Sequence, residues 1–258
     1  MNGLDFTGRS VLVTGASHGI GAAVATDFAR AGASLTILSS TPDIHHAAEQ
    51  IMQTTGHRVR ALVCDITDRT AVRESVGALG RLDVLVNNAG LERVTPMAAE
   101  DDEVERTFVR VVEINIVGTY YVTREAIRSM TAGSSIVITA SIWSKSAAAE
   151  FSAYVISKHG NLGFMRVLAK ELGPRGIRVN AVCPGWVKTR AALNSLAAMS
   201  DRQGVSQDEM LDEIIRAQAL PGLMEPADVT SPYLFLASDL ARNITGQAVN
   251  VDRGEVMA

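Results

Sequence analysis

The chain holds only two cysteines in 258 residues, Cys64 and Cys183, and neither belongs to a C-x-x-C pair. A disulfide framework and a cysteine-based metal site are therefore both excluded, and each thiol, at the end of an apolar run, reads as a small buried hydrophobe. Positive charge is also in short supply. Twenty-four Lys and Arg stand against 28 Asp and Glu, for a net charge of -4, which offers nothing to nucleic acid or to an anionic membrane. No apolar run approaches the roughly 18 residues of a spanning helix. The opening MNGLDFTGRSVLVTG lacks the basic stretch and apolar core of a signal peptide, so a cytoplasmic protein is expected. The five histidines are scattered, with His45-His46 at a solvated helix start, and no zinc site is expected. No linker, repeat or composition shift divides residues 1–258, which read as one domain. Small-molecule chemistry is what remains for such a chain.

What is present is a rhythm. Short apolar runs (10–14, 34–38, 58–64, 83–87, 135–140, 177–183 and 248–252) alternate with amphipathic helical stretches. This is the pattern of an α/β protein whose parallel sheet is covered on both faces, and seven such strands make a doubly wound Rossmann fold. Ligands of that fold lie beyond the carboxyl ends of the strands, so the residues that follow each strand carry the chemistry. Residues 190–222 interrupt the rhythm with a long helical insertion, readable as a peripheral hairpin or as a lid over the site; lid function is the usual reason for such an excursion.

After the first strand comes TGASHGIG, where Gly15, Gly19 and Gly21 permit a tight turn and bring an anion to a helix N-terminus. Ser17, His18 and Ile20 belong to the same loop. A dinucleotide site for NAD places an acid about 20 positions further on, against the ribose 2'-hydroxyl. Here the second strand ends in Ser39, Ser40 and Thr41, and the missing carboxylate, with His18 nearby, favours NADP(H) over NAD(H). Asp43 could reach a ribose, but Thr41-Pro42-Asp43 reads more simply as a helix cap, first-turn proline and first-turn acid.

With TGASHGIG, NNAG (87–90), Ser141 followed by YVISK (154–158), and NAVCPGWVKT (180–189), the chain resembles the short-chain dehydrogenase/reductase family from about Gly8 to Gly254. The resemblance implies that Asp65 and Ile66 meet adenine and that Asn88, Ala89 and Gly90 line the adenosine side. Pro184, Gly185, Val187 and Thr189 would meet the nicotinamide, and a homotetramer would be the assembly. It also implies a catalytic set of Asn115, Ser141, Tyr154 and Lys158. Carbonyl reduction needs a proton donor near neutral pH, and a cation one helical turn from Tyr154 would favour its phenolate. Lys158, together with the positive charge of oxidised nicotinamide, would supply that bias and would also hold the ribose, Ser141 would orient the substrate oxygen, and Asn115 would anchor a water leading to Lys158.

The four-residue spacing argues against enoyl reductases, in which tyrosine and lysine lie further apart. Glu92, Trp143, Phe151 and Trp186, with Glu150 beside them, follow or precede motif residues and are candidates for the substrate pocket. The aromatics could form an apolar wall or simply pack under the insertion. Trp143 and Phe151 stand where 3-hydroxybutyrate dehydrogenases use polar groups, which argues against that substrate. Arg253 reads first as a solvated surface residue. The expected activity is interconversion of an apolar or cyclic ketone and its secondary alcohol. An NAD-dependent dehydrogenase of a cyclic alcohol or dihydrodiol and a non-catalytic nicotinamide-binding regulator are the alternatives.

Overall fold

Alternation along the strands decides which helical layer each side chain meets. In β1 (Ser10–Thr14) Val11 and Val13 join one core while Leu12 joins the other, and in β4 (Val84–Asn87) Val84 and Val86 are opposed to Leu85 in the same way. The first layer is built by α1 (Gly19–Arg30), α2 (Asp43–Thr55) and α9 (Ser231–Ala237), which bury Val24, Phe28, Ile44, Ile51 and Tyr233. The second is built by α3 (Arg69–Gly77), α5 (Thr119–Ala126) and α6 (Ser152–Leu172), which bury Val72, Val76, Val122, Met165 and Leu168. Each such side chain contributes about 1.5–3 kcal/mol when fully buried.

The computed structural model describes residues 4–257; residues 1–3 and 258, the ends of the expected domain, lie outside the described residues. The remaining strands are β2 (Ser34–Ser39), β3 (Arg60–Val63), β5 (Ser135–Thr139), β6 (Arg178–Pro184) and β7 (Ala248–Val251). All pairings are parallel, in the order β3-β2-β1-β4-β5-β6-β7. Winding reverses between β1 and β4, and a crevice opens beyond their carboxyl ends. β3 is shorter than the expected 58–64 because it is an edge strand with one neighbour, and its Val63 is 46% exposed.

Four local features bear on the site or on what the sequence leads one to expect around it. A π-helical turn over Glu113–Gly118 joins α4 (Asp102–Val112) to α5 and carries the buried Asn115; such wide turns recur at functional sites. The insertion forms a hairpin of α7 (Arg190–Gln203) and α8 (Gln207–Arg216). Thr189 caps α7 by accepting the Ala192 N–H at 3.1 Å, Ser206 and Glu209 form a capping box on α8, and Leu196, Met210 and Ile214 make a small core between them. Arg253 departs from the solvated role expected of it. Its backbone is left-handed, at φ 56°, and its guanidinium donates to the Pro221 carbonyl at 2.6 Å, so it ties the C-terminal turn to the segment after α8. Thr41 departs too: α2 starts at Asp43 with Pro42 at the cap position, and no side chain caps it.

Candidate active site

The loop after β1 works through close approach. Gly15 has φ 66°, and a Cβ there would fall 2.6 Å from the Ala89 Cα, so the loops after β1 and β4 touch only because the residue is glycine. Thr14 and Asn88 hold the two together. The Asn88 and Ala89 N–H groups both donate to Thr14 Oγ1 at 3.0 Å, while the Asn88 amide donates to the Thr14 and Gly15 carbonyls at 3.1 Å. Asn88 thus spends its side-chain donors on the loop. α1 then begins at Gly19 with His18 in the cap position and no side-chain cap, leaving its first N–H groups free for an anion.

A crevice of about 330 Å³ runs from this loop across the sheet, lined by Gly15, Ser17, His18, Ser39, Ser40, Asp65, Ile66, Gly90, Glu92, Tyr154 and Lys158. The donor set of the uncapped helix at one end of it suits an anionic group such as a pyrophosphate. Ser39 is buried and its hydroxyl donates to Ser17 Oγ at 3.3 Å, whereas Ser40 is exposed at the rim. The His18 ring meets the Ser17 hydroxyl at 2.8 Å, and its pKa is lowered by burial and by the charge of Arg190. Arg190 is a cation beside this cleft that sequence reasoning missed, because 171 positions separate Arg190 from Gly19 and only the fold joins them. Arg110 was missed for the same reason. It donates to Asp65 Oδ2 and Thr67 Oγ1, each at 2.9 Å. Burial pushes the Asp65 carboxyl up, but Thr67 and Arg110 together outweigh it and hold the carboxyl below its ordinary value.

Beyond Thr139 the crevice meets a smaller cleft of about 90 Å³, lined by Ser141, Ile142, Trp143, Tyr154, Pro184, Gly185, Trp186, Val187, Thr189 and Glu92. Tyr154 and Glu92 line both. Ser141 is held at the end of β5 by a small capping box, its Oγ accepting the Trp143 N–H at 3.2 Å and its own N–H donating to Ser144 Oγ at 3.1 Å. One turn along α6 from Tyr154, Lys158 is 4% exposed; its ammonium lies 5.3 Å from the tyrosine ring centroid and donates to the Thr139 carbonyl at 2.7 Å.

Lys158 by itself does not make the phenol acidic; the expected bias also draws on the charge of oxidised nicotinamide. Burial raises the Tyr154 pKa well above its ordinary value, the charge of Glu92 raises it further, and hydrogen bonding to Ser141 offsets only part. The same burial lowers Lys158 to about 8, with Glu92 opposing the fall. Low dielectric penalises both charged forms at once. Phe151 is not a pocket residue: at 1% exposure it packs behind Trp143, ring centroids 4.9 Å apart, and lines neither cleft. Trp143 itself stands edge-on to Tyr154 at 5.9 Å. Trp186 does both things open to it, lining the small cleft and packing on the α7–α8 core. Glu150 is turned away, ion-paired with Arg202 of α7.

The Asn115 amide is used up on protein partners. Its Oδ1 accepts the Leu91 N–H at 2.7 Å, and its Nδ2 donates to the Leu91 carbonyl at 3.0 Å and to Ser157 Oγ at 2.9 Å. The side chain therefore fixes the π-helical turn against the loop after β4.

Comparison with known proteins agrees with this architecture. The family model described as enoyl-(acyl carrier protein) reductase matches residues 15–255. Oxidoreductase UcpA of Escherichia coli K12 is 34% identical, covering 97% of this chain and 95% of that protein. D-beta-hydroxybutyrate dehydrogenase of Cupriavidus necator is 32% identical over 96% and 98%. A variant of actinorhodin polyketide ketoreductase solved with NADPH superposes with a TM-score of 0.88 at 31% identity, over 96% of this chain and 97% of that one. Sequence, sheet order and relatives converge, and the chain belongs to the short-chain dehydrogenase/reductase family of oxidoreductases.

Proposed function

We propose that the protein interconverts ketones and secondary alcohols with NADP(H), by proton transfer through Tyr154. The observation that carries this reading is that Tyr154, at the wall shared by both clefts, has Ser141 on one side and Lys158 one turn away on the other. When bound, the nicotinamide would supply the hydride acceptor or donor. Tyr154 passes the proton to or from the substrate oxygen, and its raised pKa keeps it a proton donor in the direction of ketone reduction. Ser141 hydrogen-bonds the same oxygen and orients it. Lys158 binds the ribose and biases the phenol, with protons reaching it through a water on the Asn115 carbonyl.

The glycine loop, Asp65, Ile66, Asn88, Ala89 and Gly90 form the adenosine and phosphate side, and Pro184, Gly185, Val187 and Thr189 the nicotinamide side. The preference for NADP(H) rests on the absence of a carboxylate at Ser39, and the NADPH of the ketoreductase neighbour is in keeping with it. Trp143 and Trp186 suit an apolar or cyclic substrate. α7 and α8 act as its lid. The exposed Tyr120, Ile156 and Val167 on α5 and α6 are in keeping with a tetramer.

Absorbance of reduced nicotinamide, followed with both cofactors and a panel of cyclic ketones and alcohols, tests the reading. Turnover with higher kcat/KM for NADP(H) is expected. Tight cofactor binding without turnover of any carbonyl or alcohol would replace it with the regulator.

A further inference from the structure

Glu92 stands where the two clefts meet and lines both. Around the smaller cleft its companions, among them Ser141, Ile142, Trp143, Tyr154 and Trp186, are apolar or uncharged. Among the described residues, the only charged group lining that cleft is therefore a carboxylate. Its two cationic neighbours make their hydrogen bonds elsewhere: Arg93 donates to the main-chain carbonyl of Glu92 itself at 2.8 Å, and Lys158 donates to the Thr139 carbonyl at 2.7 Å. Ser195 of α7, itself 5% exposed, faces the carboxylate from the lid. Burial raises the Glu92 pKa, with Ser195, Lys158 and Arg93 each opposing the rise.

An ionised carboxylate is an acceptor only, with room for several donors, and one facing a water-poor cleft gains most from a donor brought by the ligand. It lines the smaller cleft together with Ser141 and Tyr154, the two groups that would meet the reacting oxygen. We propose that Glu92 determines the specificity of this site by accepting a hydrogen bond from a hydroxyl on the carbon next to the reacting one. The preferred substrates are then neutral α-hydroxyketones and vicinal diols, and substrates bearing a carboxylate are repelled. This rests on the carbonyl-reductase reading above and sharpens it from an apolar ring to a ring or chain carrying one adjacent donor.

The test compares kcat/KM for trans-cyclohexane-1,2-diol and cyclohexanol with NADP+, in wild type, Glu92→Gln, Glu92→Leu and Ser195→Ala. A hydrogen bond to a charged group predicts a wild-type preference for the diol of about 10- to 100-fold. The ratio is expected to fall toward one in Glu92→Leu and partway in Glu92→Gln, whose amide oxygen still accepts. Ser195→Ala removes the lid contact but not the acceptor, so the ratio should hold. Oxidation of 3-hydroxybutyrate relative to cyclohexanol should rise in Glu92→Gln. Equal use of diol and cyclohexanol by wild type, or a ratio that Glu92→Leu leaves unchanged, overturns the inference while leaving the carbonyl-reductase reading in place. A Ser195→Ala ratio that collapses like that of Glu92→Leu assigns Glu92 to holding the lid and overturns it as well. Absence of turnover with every alcohol overturns both.

Discussion

Lys158 is almost completely buried, and burial lowers its pKa from 10.5 to about 8. Below about 8 the folded and unfolded chains are both charged there and the cost of burying the ammonium is fully present. Between about 8 and 10.5 the unfolded chain holds a proton that the folded one has released, so this residue makes stability rise with pH across that window. At ~1.4 kcal/mol per pH unit the cost at pH 7 is about 3 kcal/mol. Lys158→Met removes the charge and keeps an unbranched apolar stem, while giving up the hydrogen bond to the Thr139 carbonyl, worth about 1 kcal/mol. The net expectation at pH 7 is a gain of about 2 kcal/mol, or ~4–8 °C in Tm for a chain of this size. Paired calorimetric scans of variant and wild type at pH 7 and pH 10.5 measure it, since groups remote from Lys158 titrate alike in both. The gain should vanish by about pH 10.5, and turnover should be lost at every pH. A variant less stable than wild type at pH 7, or a difference that does not move with pH, refutes the reasoning.

Three further outcomes are expected. Tyr154→Phe should lower kcat by about 10²- to 10⁴-fold with cofactor affinity, read from fluorescence titration, retained; a near-normal rate would remove Tyr154 from the mechanism. Ser39→Asp should move the NADP/NAD ratio of kcat/KM toward NAD by at least about tenfold, ~1.4 kcal/mol, and an unchanged ratio would mean that the ribose is bound elsewhere. Gly15→Ala and Gly8→Ala both place a side chain at positive φ, 66° and 76°, at about 1–2 kcal/mol each, but only Gly15 also drives a Cβ into Ala89, for about 1–3 kcal/mol more. Gly15→Ala should melt several degrees below Gly8→Ala, and equal melting temperatures would show that the two loops are not pressed together.

How far the fold and the site can be read from sequence depends on the range of the interactions involved. Central strands are legible because a parallel strand covered on both faces is a continuous apolar run, as in SVLVT and SIVIT; edge strand β3, covered less, is shorter than its apolar run by two residues at the start and one at the end. Tyr154 and Lys158 share one helix and Ser141 lies two residues beyond the strand before it, so local spacing brings them to one edge. Phe151 and Trp143 are both aromatic and both near that edge, and only packing separates the buried ring from the one in the cleft. The charge of Arg190 felt at His18 and the hydrogen bond of Arg110 to Asp65 join distant segments with no local signal. The proton chemistry shows the limit most clearly. A spacing of four gives the sign of the Coulomb interaction between Lys158 and Tyr154, yet the balance is set by desolvation, which spacing does not encode. Because both groups are buried together, each is driven toward its uncharged form, and Glu92 adds a further penalty on the phenolate. In the proposed mechanism the phenol of the protein alone is therefore a donor without being a base. Alcohol oxidation then requires added positive charge in the larger crevice, which ties deprotonation of Tyr154 to occupancy of the site by an oxidised cofactor.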